Sequence, residues 1–504
     1  MPVTPDTVGY EFLRQALQLG VFAPALPARV RPVTRITRMG DCLAVPLDRA
    51  PSLQADGAEG SPWLEHVLFA LKHEGVDLAI LAEALAHVAP QQLINMLQAS
   101  PNGIYLRKAA FLFEALVAPL DYQPSIGSAV VPLFDPAQYV TGPAIRNSRW
   151  RIDFNGLGTL EYCATVRRTA EIERLLAEDI LGQAGTFIDS LPADMLDRAV
   201  QWAYLSETQS SFAIERETPS PDKQERFMQL LHQAHEVREL NEDYLVALQN
   251  STVSNPLDKA ATFRIEQNFL HNGLRGALGV SYLPPPPALC ETLMQALMTW
   301  AKGPAQRVDP LVAAAVISFG FVLIHPFMDG NGRISRFLIH HQLCRSGQLR
   351  KGLLLPVSVA MKRHENEYLV ALESFSKPAR NRWRVTWIDA EHHDFVFIGA
   401  ESLYRYWDAT QAVAFTLRMA KAALEEDLRE ETHYLHCFDA IYRHVNDSFD
   451  VRSSDLSLLV MMCLSQQGRI SNNRRKQFRD KVPEEIFEAI EAQTQQVLAE
   501  DPRN

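Results

Sequence analysis

The run Leu311 to Ile324 carries no charged residue and ends in Phe321-Val322-Leu323-Ile324. It is shorter than the ~20 residues a membrane span needs, so it predicts a helix buried at the centre of a globular fold. The residues just beyond it constrain the chain further. Pro326 disfavours the α conformation at His325, so the helix should stop there. Gly330-Asn331-Gly332 supplies residues tolerant of unusual backbone angles, and a new helix should start beyond them. Consecutive N–H groups at a helix start form an anion-binding nest. Arg333 and Arg336 are three apart and can share a face of that helix. Asp329 offers a hard oxygen beside the nest, as Mg²⁺ on a phosphate requires. A base, a metal ligand, a phosphate cradle and two arginines thus fall within residues 325–336.

Taken singly, each piece has an ordinary structural reading: a histidine at a helix end, a turn, a solvated arginine face. Together, His325-Pro326-Phe327-Met328-Asp329-Gly330-Asn331-Gly332-Arg333-Ile334-Ser335-Arg336 meets every specified position of His-Pro-Phe-x-[Asp/Glu]-Gly-Asn-Gly-Arg-x-x-Arg. This string resembles the signature of the Fic family of protein adenylyltransferases. The resemblance implies transfer of AMP from ATP to a Ser, Thr or Tyr hydroxyl, with His325 as catalytic base and Asp329 holding Mg²⁺ on the phosphates. It further implies that Gly330, Asn331 and Gly332 cradle the phosphates, with Asn331 on the α-phosphate, Arg333 near the β- and Arg336 on the γ-phosphate. A family branch with Lys at the second motif glycine is a kinase; Gly332 favours AMP transfer.

Two other segments acquire a reading from the same resemblance. Ser211-Phe212-Ala213-Ile214-Glu215-Arg216 is similar to the inhibitory-helix pattern [Ser/Thr]-x-x-x-Glu-[Gly/Asn]. Ser211 and Glu215 match; Arg216 departs, and a cation there would compete for the Glu215 carboxylate and weaken the lock. The position upstream of the motif is that of family members with an N-terminal inhibitory helix. Arg264-Ile265-Glu266-Gln267, leading to Val280-Ser281-Tyr282 and Pro284 to Pro287, resembles the β-hairpin flap. In the family the flap covers the nucleotide and pairs with an extended target segment by strand addition. Val280, Ser281 and Tyr282 are therefore expected at the nucleotide. Self-modification is a further expectation. Removal of AMP by a Glu215-positioned water, transfer of another nucleotide, and an ATP-sensing DNA-binding protein remain as alternatives.

The expected fold is mainly α: an all-helical Fic core with a small hairpin flap, between largely helical flanking domains. Expected boundaries are 1–168, 169–388 and 389–504, the last helix-turn-helix-like. Helices are expected over Tyr10–Leu19, from Trp63 to Val88, over 106–117, from Asp194 to Leu205 and, as one long element, from Arg226 to Leu248. Pro51 to Pro62 should be a loop. Asn155-Gly156-Leu157-Gly158 lacks the third glycine and βαβ context of a dinucleotide site. His340-His341 and His392-His393 are adjacent pairs and read as packing or surface residues. The net charge of -11 argues against chain-wide binding to nucleic acid or anionic membrane, and a basic stretch at 469–481 is balanced by Glu484, Glu485 and Glu488. Neither a membrane nor a nucleic acid is expected as partner. Six cysteines without metal-ligand spacing, and an N-terminus unlike a signal peptide, point to a cytoplasmic protein.

Overall fold

The central element is the helix Pro310–Ile324, in which every residue but Val322 is buried. Asp309 starts it: its carboxylate accepts from the N–H groups of Leu311 and Val312 at 2.9 and 3.1 Å. Pro310 fills the first helical position, where no N–H is missed. A fully apolar helix must be covered all round. The helices Pro287–Lys302, Asn331–Arg345 and Thr410–Ala422 do this. Phe319 meets Tyr368 and Phe415 edge-on at 5.9 and 6.2 Å between centroids.

This computed structural model describes residues 6–52, 62–236, 238–253, 256–349, 352–389 and 392–499. Most of the loop expected over Pro51 to Pro62 lies outside them. The mainly helical expectation holds, with strands confined to small sheets. The N-terminal region carries more of these than expected. Its first sheet runs Thr7–Val8, Ala28–Val30, Cys42–Val45, Thr37–Met39, and a second joins Val131–Pro132, Ile152–Phe154 and Ile145–Asn147. The single helix expected over Arg226 to Leu248 is two, Pro221–Gln233 and Glu242–Thr252. The break has a local cause: the Asn241 side chain accepts from Tyr244 N at 2.8 Å and caps the second helix, followed by acidic residues at its positive end.

The expected boundaries at 168 and 388 do not coincide with breaks in the core. One continuous apolar cluster extends from Tyr10 to Leu428. Strand Cys163–Arg167 pairs in parallel with Tyr406–Asp408, aligning Cys163 with Tyr406 and Thr165 with Asp408. Where helix was expected after Asp389, a hairpin pairs Trp383–Trp387 with His393–Phe397. Its alternating apolar residues pack with Val280 and Leu283. A separate apolar cluster is built from Ile441 to Ile490, on helices Arg429–Ser448, Ser453–Ser465, Asn472–Phe478 and Glu484–Ala499. There Arg475 turns inward, paired with Glu484 and Glu491 and lying 5.4 Å over the Phe487 ring. No helix among the described residues is long and apolar enough to cross a membrane.

Phe319→Ala should destabilise the main body by about 3–5 kcal/mol, the usual cost of deleting a buried aromatic ring. Urea denaturation followed by far-UV circular dichroism would show it as a lowered midpoint. Because one core joins residues 10–428, the transition should shift as a unit and not split at residue 168.

Candidate functional site

At the end of the central helix the chain turns through His325, whose φ of 54° is left-handed. That turn stops the helix and holds the ring against the last carbonyls. His325 Nδ1 lies 3.0 Å from Val322 O. A carbonyl only accepts, so Nδ1 carries the proton and Nε2 keeps its lone pair. Burial pushes the imidazole pKa down to about 4, with Arg264 adding to the shift and Glu215 opposing it. The ring is therefore neutral at pH 7 and able to take a proton.

The loop after His325 is tied down from several sides. Asn331 accepts from Phe327 N at 3.0 Å and donates to Phe327 O at 2.8 Å. Its carboxamide is thus committed to loop shape. Asp329 Oδ1 accepts from Gly330 N at 2.6 Å, with half of its side chain exposed. Gly330, at φ 87°, caps the helix Asn331–Arg345 in a conformation that disfavours a side chain. Arg264 donates Nε to His325 O at 2.8 Å and Nη1 to Glu266 O at 3.1 Å, and its Nη2 reaches Pro285 O. Asn268 donates to the carbonyls of Phe327 and Met328 at 3.0 and 3.1 Å. The Arg264 segment thus braces the loop from beneath, a role its sequence spacing did not disclose.

Ser211 and Glu215 lie on one face at the end of the helix Ala193–Ile214, opposite Arg336. The arginine donates Nε to Ser211 Oγ at 2.9 Å, and Nη2 to Ser211 O and Glu215 Oε1, both at 2.8 Å. Burial alone would raise the Glu215 carboxyl, but Arg336 and then Arg333 bring it below the ordinary carboxylate range. The Glu215 side chain stays 39% exposed, so solvent weakens the pair. A Cβ on Gly332 would lie 2.0 Å from Glu215 Oε1; the glycine lets the carboxylate sit against the start of the motif helix. Further back on this face Glu207 accepts from Ser358 N at 2.8 Å and meets His340 Nε2 at 2.7 Å, all three residues buried. His341 lies 3.0 Å from Arg238 O. Both histidines are packing residues.

Arg216 is in the left-handed region, at φ 58°. Its N–H donates to Ala213 O at 3.0 Å, and Glu217 N donates to Phe212 O at 3.1 Å. This pair of bonds is a Schellman cap, whose left-handed position favours Gly or Asn. Steric strain there, and not a pairing with Glu215, is the physical meaning of an arginine at this site.

The flap forms, with Leu270–His271 paired to Val280–Tyr282. Of its three expected nucleotide contacts only Ser281 is exposed; its hydroxyl donates to Leu270 O at 3.1 Å. Val280 packs with Leu283 and Trp383, and the Tyr282 hydroxyl donates to Leu323 O. The latter two side chains thus face the interior, leaving Ser281 and the backbone as what this strand exposes.

Residues 239–343 match the family model described as Fic/DOC family. The chain carries a Fic/DOC domain. Over 101 residues it is 30% identical to a probable protein adenylyltransferase of Aquifex aeolicus, covering 20% of this chain and 28% of that protein. Over 88 residues it is 34% identical to the protein adenylyltransferase Fic of Drosophila yakuba, covering 17% of this chain and 16% of that one. The chain thus spans less than a third of the length of the relatives it matches. A solved Fic family protein from Desulfovibrio desulfuricans G20 overlaps 62% of this chain and 87% of its own, at TM-score 0.39 and 21% identity. The Fic/DOC segment contains the motif, the flap and Arg264. The helix bearing Ser211 and Glu215 lies outside it.

Arg216→Gly should relieve the left-handed strain, worth about 1 kcal/mol. A higher midpoint for thermal unfolding would report the gain. Arg216→Ala, which keeps a Cβ, should give none of it.

Proposed function

We propose that the Fic/DOC domain transfers AMP from ATP to a Ser, Thr or Tyr hydroxyl of a protein, and that Glu215 holds it in a resting state. The observation that carries the reading is His325: a neutral imidazole with Nε2 unprotonated, at the start of the loop that leads into the helix bearing Arg333 and Arg336. A hydroxyl is a poor nucleophile until a base takes its proton. His325 Nε2 accepts that proton as the oxygen attacks the α-phosphorus. A new P–O bond forms, the bond from the α-phosphorus to the bridging oxygen breaks, and pyrophosphate leaves. The protein contributes preorganised charge and dipoles: Gly330 to Gly332 at the helix start, Arg333 toward the β- and Arg336 toward the γ-phosphate. Arg333 Nε and Arg336 Nη1 are buried with no hydrogen-bond partner among the described residues, which suits donors set out for a ligand.

Mg²⁺ fits as an ion borne by the nucleotide. No group of three His, Cys, Asp or Glu side chains among the described residues could hold a metal. The loop itself contributes one half-exposed carboxylate, Asp329, and Mg²⁺ at nucleotide sites commonly takes one or two carboxylates plus phosphate oxygens. When bound, the ion would neutralise charge on the phosphates. The target segment would add as a strand along the flap, reading backbone, and self-modification would use the same path. Free thiols at all six cysteines suit a cytoplasmic setting.

His325→Ala should abolish labelled-AMP incorporation while leaving nucleotide binding near that of the wild type. Loss of one general base costs about 10²–10⁴-fold; wild-type rates in this variant would refute the assignment. Glu215→Gly should raise self-adenylylation by about tenfold or more, the scale of a charge-assisted bond. A Glu215→Gly variant no faster than wild type would remove the resting-state reading.

The pH dependence is set by the signs of these shifts. With Glu215 depressed, its contribution is complete above the ordinary carboxylate range and fades only as pH falls through the lower folded value. Inhibition should therefore be constant from about pH 5.5 to 8. His325 protonates near pH 4 with Glu215 in place, and Glu215→Gly removes a carboxylate that favours the imidazolium, so in that variant the acid limb of the rate should lie at or below pH 4. A limb at the ordinary imidazole value in a pH–rate profile would contradict the burial of the base.

A further inference from the structure

A second carboxylate enters the site beside Glu215. The left-handed turn at Arg216 brings Glu217 back toward the motif helix, and Glu217 Oε2 accepts from Arg333 Nη1 at 2.9 Å. Lys223 donates to Glu217 Oε1 at 2.6 Å and steadies it from the helix Pro221–Gln233. Arg333 is held on its other sides as well. Its Nη1 also donates to Thr252 O at 2.9 Å, its guanidinium lies 5.3 Å over the Phe212 ring, and only 6% of its side chain is exposed. The same turn therefore adds one carboxylate to each motif arginine, Glu215 to Arg336 and Glu217 to Arg333, where Asp329 Oδ1 also lies 3.5 Å from Nη2.

We infer that Glu217 closes the β-phosphate seat, so that the resting site refuses nucleoside diphosphates as well as triphosphates. The inference rests on the proposed function, in which Arg333 serves the β- and Arg336 the γ-phosphate. Glu215 alone would shut only the γ seat. A diphosphate has no γ-phosphate and would then bind the resting protein as well as the released one. With Glu217 on Arg333, a diphosphate must displace a carboxylate before it can use that arginine. The two glutamates act on different phosphates, and nucleotides of different length separate them. Glu217 is a specificity-determining residue for how much of the phosphate chain the resting site accepts.

The experiment is isothermal titration of the full chain with ADP and with ATP in excess Mg²⁺, for wild type, Glu215→Gly, Glu217→Gln and the double variant. Far-UV circular dichroism would confirm that each variant is folded. Glu217→Gln removes the charge and keeps the shape. It should tighten ADP by about fivefold or more, given the usual strength of charge-assisted bonds and the partial exposure of Glu217. Glu215→Gly should tighten ATP more than ADP, and the double variant should bind ATP best. If ADP binds wild type and Glu217→Gln equally while Glu215→Gly still gains ATP affinity, the Glu217 assignment is overturned and the nucleotide reading stands. If even the double variant binds neither nucleotide, the nucleotide reading fails and the Glu217 assignment with it.

Discussion

A buried guanidinium facing carbonyl oxygens holds the site together. Arg264 donates to the carbonyls of His325, Glu266 and Pro285. Its backbone N–H donates to Pro326 O at 2.7 Å. The carbonyls at the end of a helix lack intrahelical partners and carry its partial negative charge. At the end of Pro310–Ile324 water is excluded, so a cation with several donors is the economical solution. Burial lowers the Arg264 pKa, yet an arginine stays charged through such a shift. One side chain thereby fixes the left-handed histidine, the loop after it and the start of the flap.

The motif region was legible in the sequence because its residues act locally. Pro326 ends one helix, Gly330 opens the next, and Arg333 and Arg336 lie a turn apart on it. The buried helix before them announced itself by having no charge. Glu215 was singled out through a pattern of spacing; that its carboxylate meets Arg336 is read from the structure. What stayed hidden depends on backbone geometry or distant pairing. Nothing in Arg216 itself tells that it sits at φ 58°, and without that turn Glu217 has no reason to meet Arg333. The Asn241 cap broke a helix whose apolar pattern ran on through it. The pairing of Cys163–Arg167 with Tyr406–Asp408 left no trace in either segment taken alone.

One set of contacts on the motif helix, from its N-terminal side, comes from a single helix. Glu207, Ser211 and Glu215 recur every fourth residue on Ala193–Ile214 and its cap, and they meet His340 and Arg336 on the motif helix. The ladder grades from a sealed contact at Glu207 to an open one at Glu215, whose side chain is 39% exposed. Charge pairs near water exchange more readily than sealed ones. The end of the helix nearest the motif loop is therefore its most yielding part, while the buried end anchors it.

The parallel pairing of Cys163–Arg167 with Tyr406–Asp408 has a consequence for how the chain is made. A strand that leaves the ribosome early must wait for a partner more than two hundred residues later. At about 5–20 residues per second that interval lasts on the order of ten seconds or more. Long-range strand pairing is also slow to close, since its loop entropy is lost before any contact compensates. Through that time the N-terminal sheets and helices lack part of their final neighbourhood, and the edge of Cys163–Arg167 that Tyr406–Asp408 will cover stands open to other strands. Pairing of that edge, and with it completion of the N-terminal region, comes only after the whole Fic/DOC segment has been made.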